Sequence, residues 1–265
     1  MLLIMLVVTS AVPAFAGDTL FTSTTALQNE GKALLDEAVD VCAAPFRLEN
    51  GALYKTLAVA GAFGAAYAFD TTIRDKVQGI QSKGLDDAAK IGSNIIGNPF
   101  VHLGVAVAVY GGGVLGESER WKDTGLMLGE AAILADVSTL ILKQAIGRGR
   151  PSVNKGKSDY KPFQFASDYD SLPSMHTSSS FAMASVISST SESLPVKLLS
   201  YTAAAFVGFA RIYQDKHWTS DVILGAALGE LCGRVVTAYH SNKMRFALVP
   251  MASQEMVGIA LLKQW

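Results

Sequence analysis

Apolar positions recur at helical spacing through most of the chain. Between Thr24 and Val41, Leu27, Leu34, Leu35 and Val39 stand among polar residues, which predicts an amphipathic helix. Leu53–Phe69 is a second, alanine- and glycine-rich apolar stretch, and the more polar Asp70–Gly97 holds one or two amphipathic segments. Pro99–Gly116 is apolar again, and Lys122–Gly147 predicts a long helix stopped before Pro151. A polar loop with mixed charges and aromatic residues follows over Ser152–Leu172. Helical periodicity then resumes over Thr177–Ser189, Val196–Tyr213 and Ser220–His240. Only the end alternates differently: Arg245–Val249 and Met256–Leu262 predict a β-hairpin over 245–263. The expected fold class is an all-α helical bundle with a small C-terminal β-hairpin.

A membrane-spanning helix needs about 20 mostly apolar residues. Leu57–Phe69 is bracketed by Lys55 and Asp70, and Leu198–Ala210 by Lys197 and Arg211, so both have the length of buried core helices. The two longest helices carry charges in their middles, Glu130 and Asp136 in one, Glu230 and Arg234 in the other. This pattern favours a soluble or peripherally attached bundle. An integral one requires those acids to face the bundle interior.

Composition sharpens this only a little. Of 265 residues, 50% are hydrophobic and 17% charged, enough to bury a sizeable core. The net charge of −1 gives no electrostatic case for nucleic acid. At the N-terminus the apolar run Leu2–Val12 and the small residues around Ala14-Phe15-Ala16 predict a signal peptide over 1–16. The remaining 17–265 then form one exported, periplasmic domain with its motif-bearing core at about 122–240. An uncleaved anchor, with integral or peripheral attachment at the bacterial envelope, is the alternative. Cys42 and Cys232, the two cysteines, either pair or stand as small buried residues, and without a histidine cluster they make no zinc signature.

Three short segments carry candidate chemistry. In Lys143-Gln-Ala-Ile-Gly-Arg-Gly-Arg150-Pro151, Lys143 and Arg150 lie two turns apart and would share a face of a continued helix. A point charge and a bidentate fork converging there suit a tetrahedral oxyanion, although basic residues at a helix end also simply complement its dipole. In Leu172-Pro-Ser174-Met-His176 a helix start offers backbone N–H groups and a hydroxyl to an anion, with His176 placed to move a proton. Ser174 is equally an ordinary N-cap. In Arg211-x5-His217-x3-Asp221 the aspartate is spaced to fix a ring tautomer, or to make a purely structural hydrogen bond.

The order and spacing of Lys-x6-Arg-Pro, Pro-Ser-x-His and Arg-x5-His-x3-Asp resemble the type-2 phosphatidic acid phosphatase and vanadium haloperoxidase superfamily, over about Leu126–Val235. Two positions depart from that pattern: Met175 stands where the family usually has glycine, and Ala210 where it usually has serine. The resemblance implies His217 as the nucleophile that takes the phosphoryl group, oriented and charge-stabilised by Asp221. It implies His176 as the proton donor to the leaving oxygen. Lys143, Arg150, Ser174 and Arg211, with N–H groups near Met175 and His176, would hold the non-bridging oxygens, with no metal or other cofactor. The substrate implied is a phosphorylated small molecule or a lipid phosphate, and oligomeric state is left open. Vanadate-dependent haloperoxidase chemistry and a catalytically degenerate anion-binding envelope protein are the alternatives. His102 and His240 have no recognisable partner and are read as structural. Asp136 either orients Lys143 or is a core-facing or surface acid, Glu230 and Arg234 read as an i,i+4 pair, and the loop 152–172 either borders the site or is a solvated loop anchored by a few aromatic residues.

Overall fold

The computed structural model describes residues 24–46, 52–242, 246–252 and 257–263. The signal-peptide expectation for 1–16 falls outside them. Contacts divide the chain into two units, 1–36 and 37–265; the described part of the first is helical. The helices are α1 (Thr24–Ala43), α2 (Ala52–Gln78), α3 (Lys83–Ile91), α4 (Pro99–Leu115), α5 (Glu119–Ile146), α6 (Met175–Thr190), α7 (Leu194–Tyr213) and α8 (Thr219–Asn242). A π-turn over Gly92–Ile96 bends α3 into α4. After α8, Phe246–Ala252 and Val257–Lys263 pair antiparallel, Phe246 opposite Lys263. The body is all-α, as the periodicity predicts.

Helix α6 sits at the centre, packed on α5, α7 and most closely on α8. Small residues make that approach possible. A Cβ at Gly229 would lie 2.0 Å from the Ser178 carbonyl oxygen, and one at Gly225 2.7 Å from that of Ser174. These glycines, with Gly233 one turn on, form a smooth ridge on α8, against which the serine- and alanine-rich face of α6 is buried. The seam fixes α8, and so Asp221 at its start, against Ser174 at the start of α6. The Ser174 N–H donates to the Asp221 carbonyl at 3.1 Å.

The exterior corrects the soluble reading. α5 and α8 are each long and apolar enough to cross a membrane, and α3 with α4, bent by 51°, would make a third span. Large apolar side chains face outward, among them Phe100 (83% exposed), Leu115 (86%), Val107, Leu140 and Ile141. Of the mid-helix charges that argued against spanning, Asp136 lies in the core and the two glutamates are partnered. Glu130 accepts from His240 Nε2 at 2.5 Å, and Glu230 accepts from Tyr201 Oη at 2.7 Å and from Arg234 Nε at 2.5 Å. Interior-facing, paired acids are the form in which a membrane helix tolerates charge. The protein is membrane-associated.

Candidate active site

Helix α5 ends where Gly147 adopts φ +62°, ψ +43°, and its N–H caps the Lys143 carbonyl at 2.9 Å. Only glycine fits there, because a Cβ would lie 2.0 Å from the Lys161 carbonyl oxygen. The helix therefore does not continue to Arg150, which lies in extended backbone (φ −68°, ψ 152°) beyond the cap. The two basic residues converge through a carboxylate instead. Arg150 Nε donates to Asp170 Oδ1 at 2.7 Å, Lys143 Nζ lies 3.8 Å from Asp170 Oδ2, and Lys143 also donates to the Asp170 carbonyl. Arg211, in the last turn of α7, completes a buried basic cradle. Its Nη1 donates to Gln214 at 3.0 Å, while its Nε, away from solvent, has no hydrogen-bond partner. Burial, and then the neighbouring Arg150, lower its pKa to about 10, so it stays cationic at neutral pH.

His217 is buried beside this cradle. Its Nδ1 lies 2.7 Å from the Ser171 carbonyl oxygen. A carbonyl only accepts, so Nδ1 carries the hydrogen and the Nε2 lone pair is free. Burial, followed by the charges of Lys143, Arg211 and Arg150, pushes its pKa well below the ordinary value. Asp221 does not make the direct contact that the i,i+4 spacing suggests: its Oδ2 is 3.9 Å from Nδ1. That oxygen instead accepts from Ser171 Oγ at 2.6 Å and from the Trp218 N–H at 2.8 Å, and Oδ1 accepts from Arg148 Nη1 at 2.6 Å. The aspartate thus holds the segment that holds the ring, and lends its charge at one remove.

His176 lies in the first turn of α6, half-buried, and is neutral. Burial first, then the charges of Arg211, Lys143 and Arg150, lower its pKa to about 3. Ser174 occupies the N-cap position without capping; its hydroxyl accepts from Thr177 Oγ1 at 2.9 Å. Met175 is half-buried, like His176, and the N–H groups of both belong to the open helix start. Ala210 points elsewhere, into an apolar cluster with Ala89 and Tyr213, so the missing serine hydroxyl at that position is a change in the core.

Four residues of this arrangement have no site role in the sequence reading: Asp70, Arg148, Asp170 and Ser171. Arg148 is fully buried and donates to Asp70 Oδ2 (2.8 Å), Asp221 Oδ1 (2.6 Å) and Ser220 Oγ (2.7 Å), with Tyr67 and Trp218 rings against its guanidinium. Asp70, at 0% exposure, also accepts from the Ser220 N–H at 2.9 Å. The one sequence signal is the pair of glycines flanking Arg148, which pass close to the Lys161 carbonyl and to Asp159. Asp136 serves the core, with its Oδ1 buried and without a partner. His102 bonds Ser179 and the Ile96 carbonyl. Both cysteines are unpaired thiols.

The fold and site together define a class: a helical bundle that gathers three cations, two of them buried, around a buried histidine. Residues 124–245 match the family described as the PAP2 superfamily. That segment is the part of the chain similar to the superfamily, and it carries the whole constellation from Lys143 to Asp221. Over 139 residues it is 31% identical to a lipid A 1-phosphatase of Porphyromonas gingivalis, a match covering 51% of this chain and 28% of that protein's length. Two solved structures are similar, and the first of them shares the fold. A transmembrane PAP2-type phosphatidylglycerolphosphate phosphatase from Bacillus subtilis has 18% identity and a TM-score of 0.52, covering 73% of this chain and all of the other. LpxE of Aquifex aeolicus has 22% identity and a TM-score of 0.49, covering 64% and 96%.

Proposed function

We propose that the protein is a membrane-embedded phosphatase that hydrolyses a lipid phosphate through a phosphohistidine on His217, without a catalytic metal. The observation that carries this reading is a buried, neutral imidazole with Nε2 free to attack, set among Lys143, Arg150 and Arg211. Counted formally, these three charges less that of Asp170 leave +2, the complement of a phosphate dianion. Phosphoryl transfer asks a protein chiefly for positioning and for neutralisation of equatorial charge, which three cations supply.

In the first step Nε2 of His217 forms a bond to phosphorus as the P–O bond to the leaving group breaks, and the leaving oxygen takes a proton from His176. The imidazolium that results is stabilised by Asp221 at 3.9 Å. In the second step His176 takes a proton from water, the water oxygen bonds to phosphorus, and the P–N bond breaks to release phosphate. His176 is neutral in the empty site because of burial and the three cations. A bound dianion offsets that repulsion, so the proton required for step one is gained with substrate. The P. gingivalis relative's name and the two span-length helices favour a lipid over a small soluble ester. The export pattern at the N-terminus would put the site on the periplasmic side.

The test is phosphate release from a lipid phosphate and from a generic aryl phosphate by the full chain in detergent, read as initial rates with a chelator present. Both activities are expected to persist in chelator and to vanish in His217→Ala. Turnover by that variant, or an immediate requirement for divalent metal, overturns the mechanism.

A further inference from the structure

At the far end of α8 a second group of side chains converges, unrelated to the phosphate cradle. Glu37 of α1, Glu130 of α5 and His240 in the last turn of α8 each bring one ligand atom within 4.8 Å of the other two. Asp221 and His240 are 19 residues apart on one helix, so at about 1.5 Å per residue the group lies roughly 28 Å from the catalytic end. Both glutamates are buried, Glu37 at 0% and Glu130 at 7% exposure, and His240 Nε2 is 2.5 Å from Glu130 Oε2.

The donors come from three separate helices and are chemically mixed: two carboxylates and one imidazole. That set suits a borderline divalent cation such as zinc, which binds nitrogen and oxygen at about 2.0–2.2 Å and accepts three protein ligands with water in the fourth position. Tetrahedral ligands at that radius stand roughly 3.4 Å apart, so separations of up to 4.8 Å must close and the 2.5 Å His240–Glu130 contact must open, by about 1 Å each. A way in exists as well. A cleft of about 630 Å³, lined by Asp123, Met127, Arg234 and Thr237, reaches His240 and gives a hydrated ion a path to the half-buried imidazole.

We infer that Glu37, Glu130 and His240 form a zinc-class divalent-metal site that ties α1, α5 and α8 together at the end of the bundle remote from phosphate chemistry. The ion acts on stability, not on turnover. Because the ligands are gathered only in the folded chain, occupancy stabilises that state by mass action.

The experiment uses the full chain in detergent, stripped with chelator and then titrated with zinc by calorimetry and with cobalt by visible absorption. Expected are one ion per chain, tetrahedral cobalt bands, and a thermal midpoint several degrees higher with metal. Glu37→Gln, Glu130→Gln and His240→Asn should each weaken binding at least ten-fold and remove the thermal shift, while the metal-free initial rate stays that of wild type. The cobalt spectrum of the wild-type chain keeps the test open if a variant does not fold. Absence of stoichiometric binding to the stripped wild type overturns the inference. So does binding that all three substitutions leave unchanged.

Discussion

Replacing Arg148 with methionine perturbs the site through a residue placed away from the cradle. The side chain makes four hydrogen bonds, to Asp70, Asp221, Ser220 and the Lys157 carbonyl, from a position with no solvent exposure. Methionine fills much of the same volume but leaves two fully buried carboxylates without their cation. Asp70 keeps the Ser220 N–H and hydroxyl, and Asp221 keeps Ser171 and the Trp218 N–H. Removing one partner of a buried ion pair costs about 3–5 kcal/mol, and the carboxylates' remaining donors do not supply the missing charge. At about 2–4 °C per kcal/mol for a domain of this size, the thermal midpoint should fall by roughly 6–20 °C. The assay is thermal loss of the helical circular-dichroism signal in detergent, with Asp70→Asn added to complete a double-mutant cycle. In the Arg148→Met background that second change should cost far less than in wild type, because one stranded charge is removed. A midpoint within about 2 °C of wild type, or fully additive effects, would refute the account of Arg148 as the hub that fixes Asp221.

Other outcomes follow from the same geometry. Asp170→Asn removes the carboxylate shared by Lys143 and Arg150 and raises the formal charge of the cradle by one; vanadate and product phosphate should bind several-fold more tightly, and inhibition constants check this. Met175→Gly should raise kcat by letting phosphate approach the N–H groups at the start of α6, as steady-state kinetics would register. Stability should fall with acidification. His176 is held near 3 in the folded state against about 6.5 unfolded, so between those values the unfolded chain binds the extra proton and folding is opposed, while above 6.5 the effect is absent. The slope contributed is up to about 1.4 kcal/mol per pH unit, and His176→Gln should flatten a plot of stability against pH from 6.5 downward.

The sequence reading placed most helices within a few residues, although α2 runs on through Asp70 to Gln78, nine residues beyond Phe69. It named the cradle and both histidines because each motif is short and carries its chemistry in local spacing. Its failures have one cause. Asp70 meets Arg148 and Ser220 from 78 and 150 residues away, and a lone aspartate within a helix carries no local sign of that. Asp170 looked like one charge among several in a loop, although it is the counter-ion of both Lys143 and Arg150. Asp221 was assigned a direct bond to His217 because i,i+4 spacing permits one; the bend before α8 turns its carboxylate to Ser171 and Arg148 instead. The membrane surface was missed for a similar reason. Glu130 seemed too costly for a spanning helix because its partner His240 lies 110 residues further on.

The most direct test of the central claim is the covalent intermediate itself. Wild-type chain mixed with a radiolabelled lipid phosphate, quenched in alkali within the first turnover and digested, should yield a peptide bearing acid-labile phosphate on His217. The label should be lost from His217→Ala and should accumulate when His176 is replaced by glutamine and an aryl phosphate with a good leaving group is used. Turnover by the wild type without any phosphohistidine, or with the label on another side chain, contradicts the account.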